Sequence, residues 1–505
     1  MTAPVTIVRG GRVLDLAKRQ FVAADILISR GRFEEIGPPG LPAPEDARLI
    51  DAKGKLIHPG LINAHTHGHG SLSKGMGDRW TLELLLTSSV FTYAGRTFED
   101  RKLSTKLAAA EMALKGCTAC YDLNMELPCP TPEGIQAMAD AYAEVGIRAV
   151  IAPAVADRSF FGAVPGLMEA LPDDLQASAK AMRFAEPKSV FDSMRRSLKA
   201  WRYNRDKIRM AIAPTIPMHC SDVFLTGCRD LAEEFGLCVQ SHVAESKVQA
   251  VYGKELYGHT IVGHLGRLGL LNSRFSVAHG VWLTDDDMSL LGEYGAGVAH
   301  NPGSNMRIGS GLADARGMLD SGITVGIGTD GANCSDHQNM YEAMRLASLV
   351  SKVQGPDIDK WLSTDEVLDL ATSGSAQVLG MSGQIGRIAP GYHADLVFLE
   401  AEHVNWLPLN DAVNQLVHSE DGTAVHSVMV GGELIVENRR HTRIDFPNLA
   451  SAVERARERL ERINADNFRL FERLAAVVNR FCPGLAHQHY PINRYGAWHE
   501  RHVHE

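Results

Sequence analysis

The chain has no basic run: its 51 Lys and Arg are outnumbered by 60 Asp and Glu, for a formal net charge of −9 over 505 residues. Nucleic acid and anionic membrane surfaces select clustered positive charge, so neither is an expected partner. No apolar stretch approaches the ~20 residues of a membrane span. The start, MTAPVTIVRGGRV, lacks the basic-then-apolar order of a secretory signal and enters a strand-like pattern at once. The expected location is the cytoplasm. Cysteine is sparse, eight residues scattered without a framework of spacings, and in such a chain they read as reduced, buried small hydrophobes. Cys117 and Cys120 make one C-x-x-C inside the apolar run KGCTACYDLN, and no second C-x-x-C completes a zinc site. Low-complexity tracts are absent as well.

What is present is a chain 45% hydrophobic and 22% charged, ordinary for a soluble protein with a sizeable core and long enough for one large and one small domain. Residues 1–58 alternate short β-rich runs with glycine turns, the pattern of an antiparallel meander, and a similar texture returns in GRIAPGYHADLVFLEA and AVHSVMVGGELIVENRR. Between them, eight apolar runs recur, each followed by a loop and a helical stretch: LINAHTH, CTACYDL, RAVIAPA, RMAIAP, LCVQSH, RFSVAH, GVAHN and TVGIGTD. Near-continuous apolar strands alternating with helices predict a parallel sheet covered on both faces, and eight units predict an α/β fold of the (β/α)8 TIM-barrel type. The expected division is a catalytic barrel over 59–379 and a small β-sandwich domain composed of 1–58 and 380–445. A C-terminal helical extension and tail follow over 446–505.

Active sites of parallel barrels sit at the C-terminal strand ends. Strand one ends in His65 and His67, strand five in His242, strand six in His279, strand seven in His300 and strand eight in Asp330. A lone histidine is ordinarily a satisfied core or surface residue; this many on one rim, with a carboxylate, is not an accident of composition. His65 and His67 are two apart on a strand and point the same way. With His242 and Asp330 they make a mixed nitrogen and oxygen set suited to zinc, with iron or manganese as alternatives. Glu245, three residues beyond His242, stands where a general base belongs. His279 either ligates or steadies a developing oxyanion by hydrogen bonding. His69, Arg79, Trp80 and His219 fall on loops that reach the rim, so they are candidate substrate contacts, with burial under its loop the competing role for Trp80. His300 and Asn305 either line the pocket or satisfy backbone groups. The histidine-rich end, GLAHQHYPINRYGAWHERHVHE, has no ligand spacing and reads as a solvated or partner-docked tail.

PGLINAHTH, SHVAE, AHG, HNPGSNMRIGSG and GTDG, at strands one, five, six, seven and eight, resemble the amidohydrolase superfamily. The resemblance is to its branch of cyclic-amidine deaminases and triazine chlorohydrolases. GRVLD and ADILISRGRFEEIG early, and IGRIAPGYHADLVFL late, extend it over most of residues 5–438. The resemblance implies that His65, His67, His242 and Asp330 hold one divalent metal per subunit, that Glu245 shuttles protons, and that His279 hydrogen-bonds water or substrate. Binuclear relatives bridge two metals with a lysine at strand four, and RMAIAPTIPMHC has none there. A substrate-facing histidine of the branch is replaced by Thr215, with His219 four residues later, and Gly70 stands where guanine- and triazine-type members often place a glutamine.

The expected function is hydrolytic deamination of an amino-substituted nitrogen heterocycle, a small-molecule substrate, with Glu245, His279 and Asp330 as catalytic residues. Family habit implies a homo-oligomer. Displacement of chloride, an alkylamine or an amide by the same site is one rival. A catalytically silent barrel used for binding is another, and it is disfavoured because no member of the ligand and acid–base set is missing.

Overall fold

The computed structural model describes residues 5–496. Eight parallel strands run in chain order: Leu61–Thr66, Cys117–Met125, Arg148–Val155, the split pair Ile208–Met210 and Ala213–Pro214, Val239–Val243, Phe275–His279, Gly297–His300 and Thr324–Ile327. They form two four-strand parallel stretches that continue into one curled sheet. Ile212 bridges to Val239 at one seam, and at the other the Asp330 N–H donates to His65 O at 2.9 Å. A helix follows each strand, with terminators in the chain itself. Thr131 caps Pro132–Val145 at the Gly134 N–H, proline occupies the first turn, and Gly146 ends the helix at φ 102°.

The sheet has two buried faces, which is why its strands are nearly continuous apolar runs. On strand two, Cys117 and Cys120 join a large cluster with helix residues such as Ala109, Met138 and Tyr142. Ala119, Tyr121 and Leu123, at period two, face inward with Ile62, Val150, Ala152, Ala211 and Ala213, and Ala376, Leu379 and Met381 close that interior. The closing segment lies at the N-terminal strand ends: Arg209 Nη1 donates to Gly380 O at 3.0 Å at the start of strand four. Gly326 lets it approach, since a Cβ there would stand 2.9 Å from Ser375 Cα and 2.8 Å from Ala64 Cβ.

Both ends of the chain contribute to one seven-stranded sheet containing Arg12–Asp15, Gln20–Ala23 and Lys55–Pro59 together with Leu396–Glu400, Val425–Val430, Glu433–Glu437 and Arg440–His441. A four-stranded sheet of Thr6–Arg9, Asp25–Ser29, Arg32–Gly37 and Arg48–Asp51 packs on it through Val8, Ile26, Ile28, Phe33, Ile57, Leu396 and Phe398. The simple antiparallel meander expected for residues 1–58 is corrected here. Thr6–Arg9 pairs in parallel with Arg48–Asp51, and Arg12–Asp15 in parallel with Lys55–Pro59, because the chain crosses between the sheets instead of folding back beside itself. Arg148, at the start of strand three, makes two hydrogen bonds of 2.8 and 3.0 Å to Asp395, and this buried ion pair joins the curled sheet to the strand at Leu396.

Two C-terminal helices, Phe446–Ile463 and Ala465–Ala486, lie against the curled-sheet side of the molecule. The following segment is not simply solvated: Tyr490 is buried against Trp282, and the Leu312 N–H donates to Arg494 O at 2.8 Å. The rest of the histidine-rich end, 497–505, lies outside the described residues. All eight cysteines are free, with Cys117 and Cys120 buried. Among the described residues no helix is long and apolar enough to cross a membrane.

Candidate metal centre and cavity

The C-terminal ends of strands one, five, six and eight converge. His67 Nε2 lies 3.2 Å from His242 Nε2 and 3.3 Å from Asp330 Oδ1, and His65 Nε2 lies 3.4 Å from the same oxygen. Gly328 permits the convergence, because a Cβ there would meet His65 O at 2.8 Å and Asn301 Oδ1 at 2.2 Å. Ala244, His279 and Asp330 sit at φ 51°, 76° and 62°, left-handed backbone that L side chains seldom adopt. Such strain persists where surrounding contacts over-determine it, and it clusters at functional sites.

Hydrogen bonding decides which ring atoms face the centre. His67 Nδ1 meets Leu123 O at 2.7 Å and His242 Nδ1 meets Thr215 O at 2.6 Å. Carbonyls only accept, so both protons are on Nδ1 and both Nε2 atoms are bare lone pairs. Gln240 Nε2 donates to Ala64 O at 3.2 Å and Ser276 Oγ at 3.0 Å, which leaves its Oε1 to accept from His65 Nδ1 at 2.8 Å. Three imidazole lone pairs therefore point inward, and burial keeps rings here neutral: His67 is held down to about 4 and His242 well below its ordinary value. Burial opposes charge on Asp330 too, but the histidines around it hold its carboxyl well below the usual carboxylate range.

Two bare nitrogens at 3.2 Å repel unless a cation lies between them. Ligands about 2.1 Å from a tetrahedral ion stand roughly 3.4 Å apart, close to the spacings found here. His65 Nε2, His279 Nε2 and Glu245 Oε2 are buried without any hydrogen-bond partner, an expensive arrangement in an apolar interior. His65, His67 and His242 form one set of metal-capable side chains, and His65, His279 and Asp330 another. The donor set fits one divalent metal.

Around it, Asp330 Oδ1 accepts the Gly331 N–H at 2.7 Å and Oδ2 accepts Ser304 Oγ at 2.6 Å. His279 Nε2 stands 3.7 Å from Glu245 Oε1 and 3.7 Å from Asp330 Oδ2, and its Nδ1 meets Asn305 Oδ1 at 2.8 Å. Glu245 is buried, and burial, Asp330 and Glu83 raise its carboxyl well above the usual range.

The metal-capable cluster opens into a cavity of about 580 Å3. His69 and His219 line it, the first with Nε2 3.0 Å from the Tyr93 hydroxyl, the second edge-on to Phe160. A side chain at Gly70 would run into Asn333 Oδ1 at 2.5 Å, and Asn333 itself lines the cavity, so that corner is already filled from strand eight. The structure takes four of the substrate candidates elsewhere. Trp80 packs on Phe91 and Phe471, and Arg79 is exposed beside Asp78. His300 is buried outside the lining, and Asn305 reaches the site only through His279. Sequence reasoning missed Gln240, although it is two residues before His242 and so shares its face. It also missed Ser304 and Tyr93, for which no pattern signal exists.

The profile of the amidohydrolase family matches residues 56–435. The chain belongs to that family. The 5-methylthioadenosine/S-adenosylhomocysteine deaminase of Nitratidesulfovibrio vulgaris strain DP4 is 34% identical to it over 412 residues, 81% of this chain and 86% of the relative. Among solved structures, an adenosine deaminase from Xanthomonas campestris with bound zinc superposes with a TM-score of 0.79 at 25% identity, over 91% of this chain and 100% of that one. Atrazine chlorohydrolase from Arthrobacter aurescens TC1, complexed with zinc, superposes with a TM-score of 0.79 at 26% identity, over 90% and 100%. These likenesses give the curled parallel sheet of this amidohydrolase the TIM-type barrel form, and the chain is a metal-dependent hydrolase acting on carbon–nitrogen bonds.

Proposed function

We propose that this amidohydrolase deaminates an amino-substituted nitrogen heterocycle by hydrolysis, with zinc held by His65, His67, His242 and Asp330. The observation that carries the reading is the set of inward lone pairs at 3.2–3.4 Å beside Glu245, whose Oε2 is buried without a hydrogen-bond partner. Relatives named as deaminases support the amino leaving group, and neighbours solved with zinc support the metal. When bound, the metal supplies Lewis acidity that makes water nucleophilic near neutral pH. Glu245 takes a proton from the attacking water and hands it to the ring nitrogen beside the carbon attacked. His279, 3.7 Å from both carboxylates, hydrogen-bonds the oxygen that adds to that carbon. Asp330, steadied by Ser304 and the Gly331 N–H, takes the remaining proton from the added hydroxyl and passes it to the amino group, which leaves as ammonia as the carbonyl forms. The same reading divides the chain into a catalytic barrel over 59–379, a β-sandwich from 1–58 and 380–445, and a helical extension from 446, supported by the sheet that both chain ends share.

Glu245→Gln tests it. Ammonia release falls ~100-fold or more, while metal analysis still finds one ion per subunit; near-full turnover in that variant overturns the role. The likeness to atrazine chlorohydrolase favours a second reading in which the same site displaces chloride or an alkylamine. Parallel assays for ammonia, chloride and alkylamine across purine, pyrimidine and triazine substrates separate the two.

A further inference from the structure

We propose that the protein carries a second binding site, at the starts of strands three to six, for an aromatic phosphate monoester. The site is a cavity of about 300 Å3, at the lower end of the range for small-molecule pockets. It is bordered by Val150 of strand three, Arg209 and Met210 of strand four, Cys238 just before strand five and Arg274 just before strand six. It lies at the end of the curled sheet opposite the metal-capable cluster, and it shares no lining residue with the cavity there. The inference does not rest on the deamination reading.

Charge gives the first half of the ligand. Arg205, Arg209 and Arg274 line the cavity, and no carboxylate does. The chain as a whole has more acidic than basic residues, yet the carboxylates of this region are engaged elsewhere. Asp206 pairs with Arg32 at 3.8 Å, Glu234 with Arg195 at 2.9 Å, Asp230 with Arg229 at 2.7 Å and Asp395 with Arg148 at 2.8 Å. Arg205 and Arg274 are exposed, and among the described residues no carboxylate forms an ion pair with either. Arg209 is half-buried and fixed in place: Nε donates to Arg205 O at 2.9 Å and Nη1 to Gly380 O at 3.0 Å, which leaves Nη2 for a ligand. Burial, with Arg148 and Arg205 close by, holds its guanidinium below the ordinary value. All three heads keep access to water, so the fold tolerates their mutual repulsion, and a dianion relieves it. Phosphate oxygens match the paired N–H groups of a guanidinium in bidentate geometry.

The remaining lining gives the second half. Val150, Leu198, Met210 and Leu237 are buried apolar side chains. Trp201 stands among them with its indole N–H already donated to Ile208 O at 3.1 Å, so its ring offers apolar surface and no further donor. That surface suits a flat aromatic body, on which guanidinium groups also stack. Gly380 turns the chain at φ 68°, and a side chain there would stand 2.7 Å from Cys238 Sγ, so glycine keeps this border open.

The experiment is calorimetry on the metal-loaded full chain with naphthyl phosphate, naphthoate, naphthol and inorganic phosphate. Naphthyl phosphate should bind at least about 10-fold more tightly than each of the other three, because only it supplies both the dianion and the ring. Replacing Arg205→Gln and Arg274→Gln together should weaken it at least about 10-fold. Metal content and ammonia release should stay unchanged in that variant, since neither residue lines the catalytic cavity. Trp201→Leu should weaken naphthyl phosphate and leave inorganic phosphate as it was, which separates the ring from the head. No saturable binding of naphthyl phosphate overturns the inference, and so does naphthoate or naphthol binding as tightly as the ester. An ester held instead at the catalytic metal would lose its affinity when the metal is stripped by a chelator and keep it in the paired arginine variant. That result also overturns the inference.

Discussion

The two ends of the curled sheet treat buried polar atoms differently, although the Tyr121 hydroxyl, packed in the closed interior, also lacks a hydrogen-bond partner. At the N-terminal strand ends, Arg148 and Asp395 satisfy each other, and His58 donates from Nδ1 to Pro59 O at 2.8 Å while accepting from the Tyr341 hydroxyl at 2.7 Å. The interior there is closed by Ala376, Leu379 and Met381. At the C-terminal ends, His65 Nε2, His279 Nε2 and Glu245 Oε2 are buried with no partner in the protein. An unsatisfied buried polar group costs about 1–3 kcal/mol, so one end of the sheet is built for stability while the other spends stability to keep a ligand set open. The difference teaches where function lies without any knowledge of the reaction: at the end where the protein leaves hydrogen bonds for something else to complete.

Substitutions should separate the two ends. Leu379→Ala, at the closed end, leaves a cavity and should destabilise the fold by about 2–5 kcal/mol, read from the urea unfolding midpoint, with metal content and kcat unchanged. A matching loss of bound metal would erase the distinction. His58 should impose a pH dependence on the same end. Burial holds its pKa down to about 4 from an ordinary 6.5, so the folded state favours the neutral ring. Its contribution is fully present above pH 6.5 and is lost as the pH falls toward 4, a total of about 3 kcal/mol. Unfolding measured against pH should show a shallower acid slope in His58→Gln, by one proton, than in the natural chain; parallel slopes would refute it. Gln240→Leu addresses the open end. Without the acceptor on His65 Nδ1, metal affinity should fall about 10- to 100-fold in a chelator competition. An unchanged affinity would mean that Gln240 does not orient the ring.

Much of this was legible in the chain. The period-two spacing of His65 and His67, and the placing of His242, His279 and Asp330 at the ends of apolar runs, mark one rim. Eight strand-like runs marked the alternating fold. What could not be read had specific physical causes. The parallel pairing of Thr6–Arg9 with Arg48–Asp51 depends on a crossing between two sheets, and local patterning carries no record of such a crossing. The two carbonyls that set the histidine tautomers belong to Leu123 and Thr215, and a backbone carbonyl looks the same in every residue. Trp80 looked like a rim aromatic because its loop begins near the ligands, yet its ring turns to Phe471, almost 400 positions away along the chain.

The sequence by itself determined which chemical groups are available: three imidazoles and two carboxyl groups, each on a strand end or just past it. This follows because ligand identity is a property of side chains, and strand periodicity decides which of them share a face. Only the tertiary structure decided which nitrogen of each ring faces inward, since that depends on hydrogen-bond partners 27 to 175 positions distant. It alone also decided the apolar wall of the cavity, because short helices near residue 85 take their place from a long helix near residue 475, and burial between such remote segments is a matter of packing.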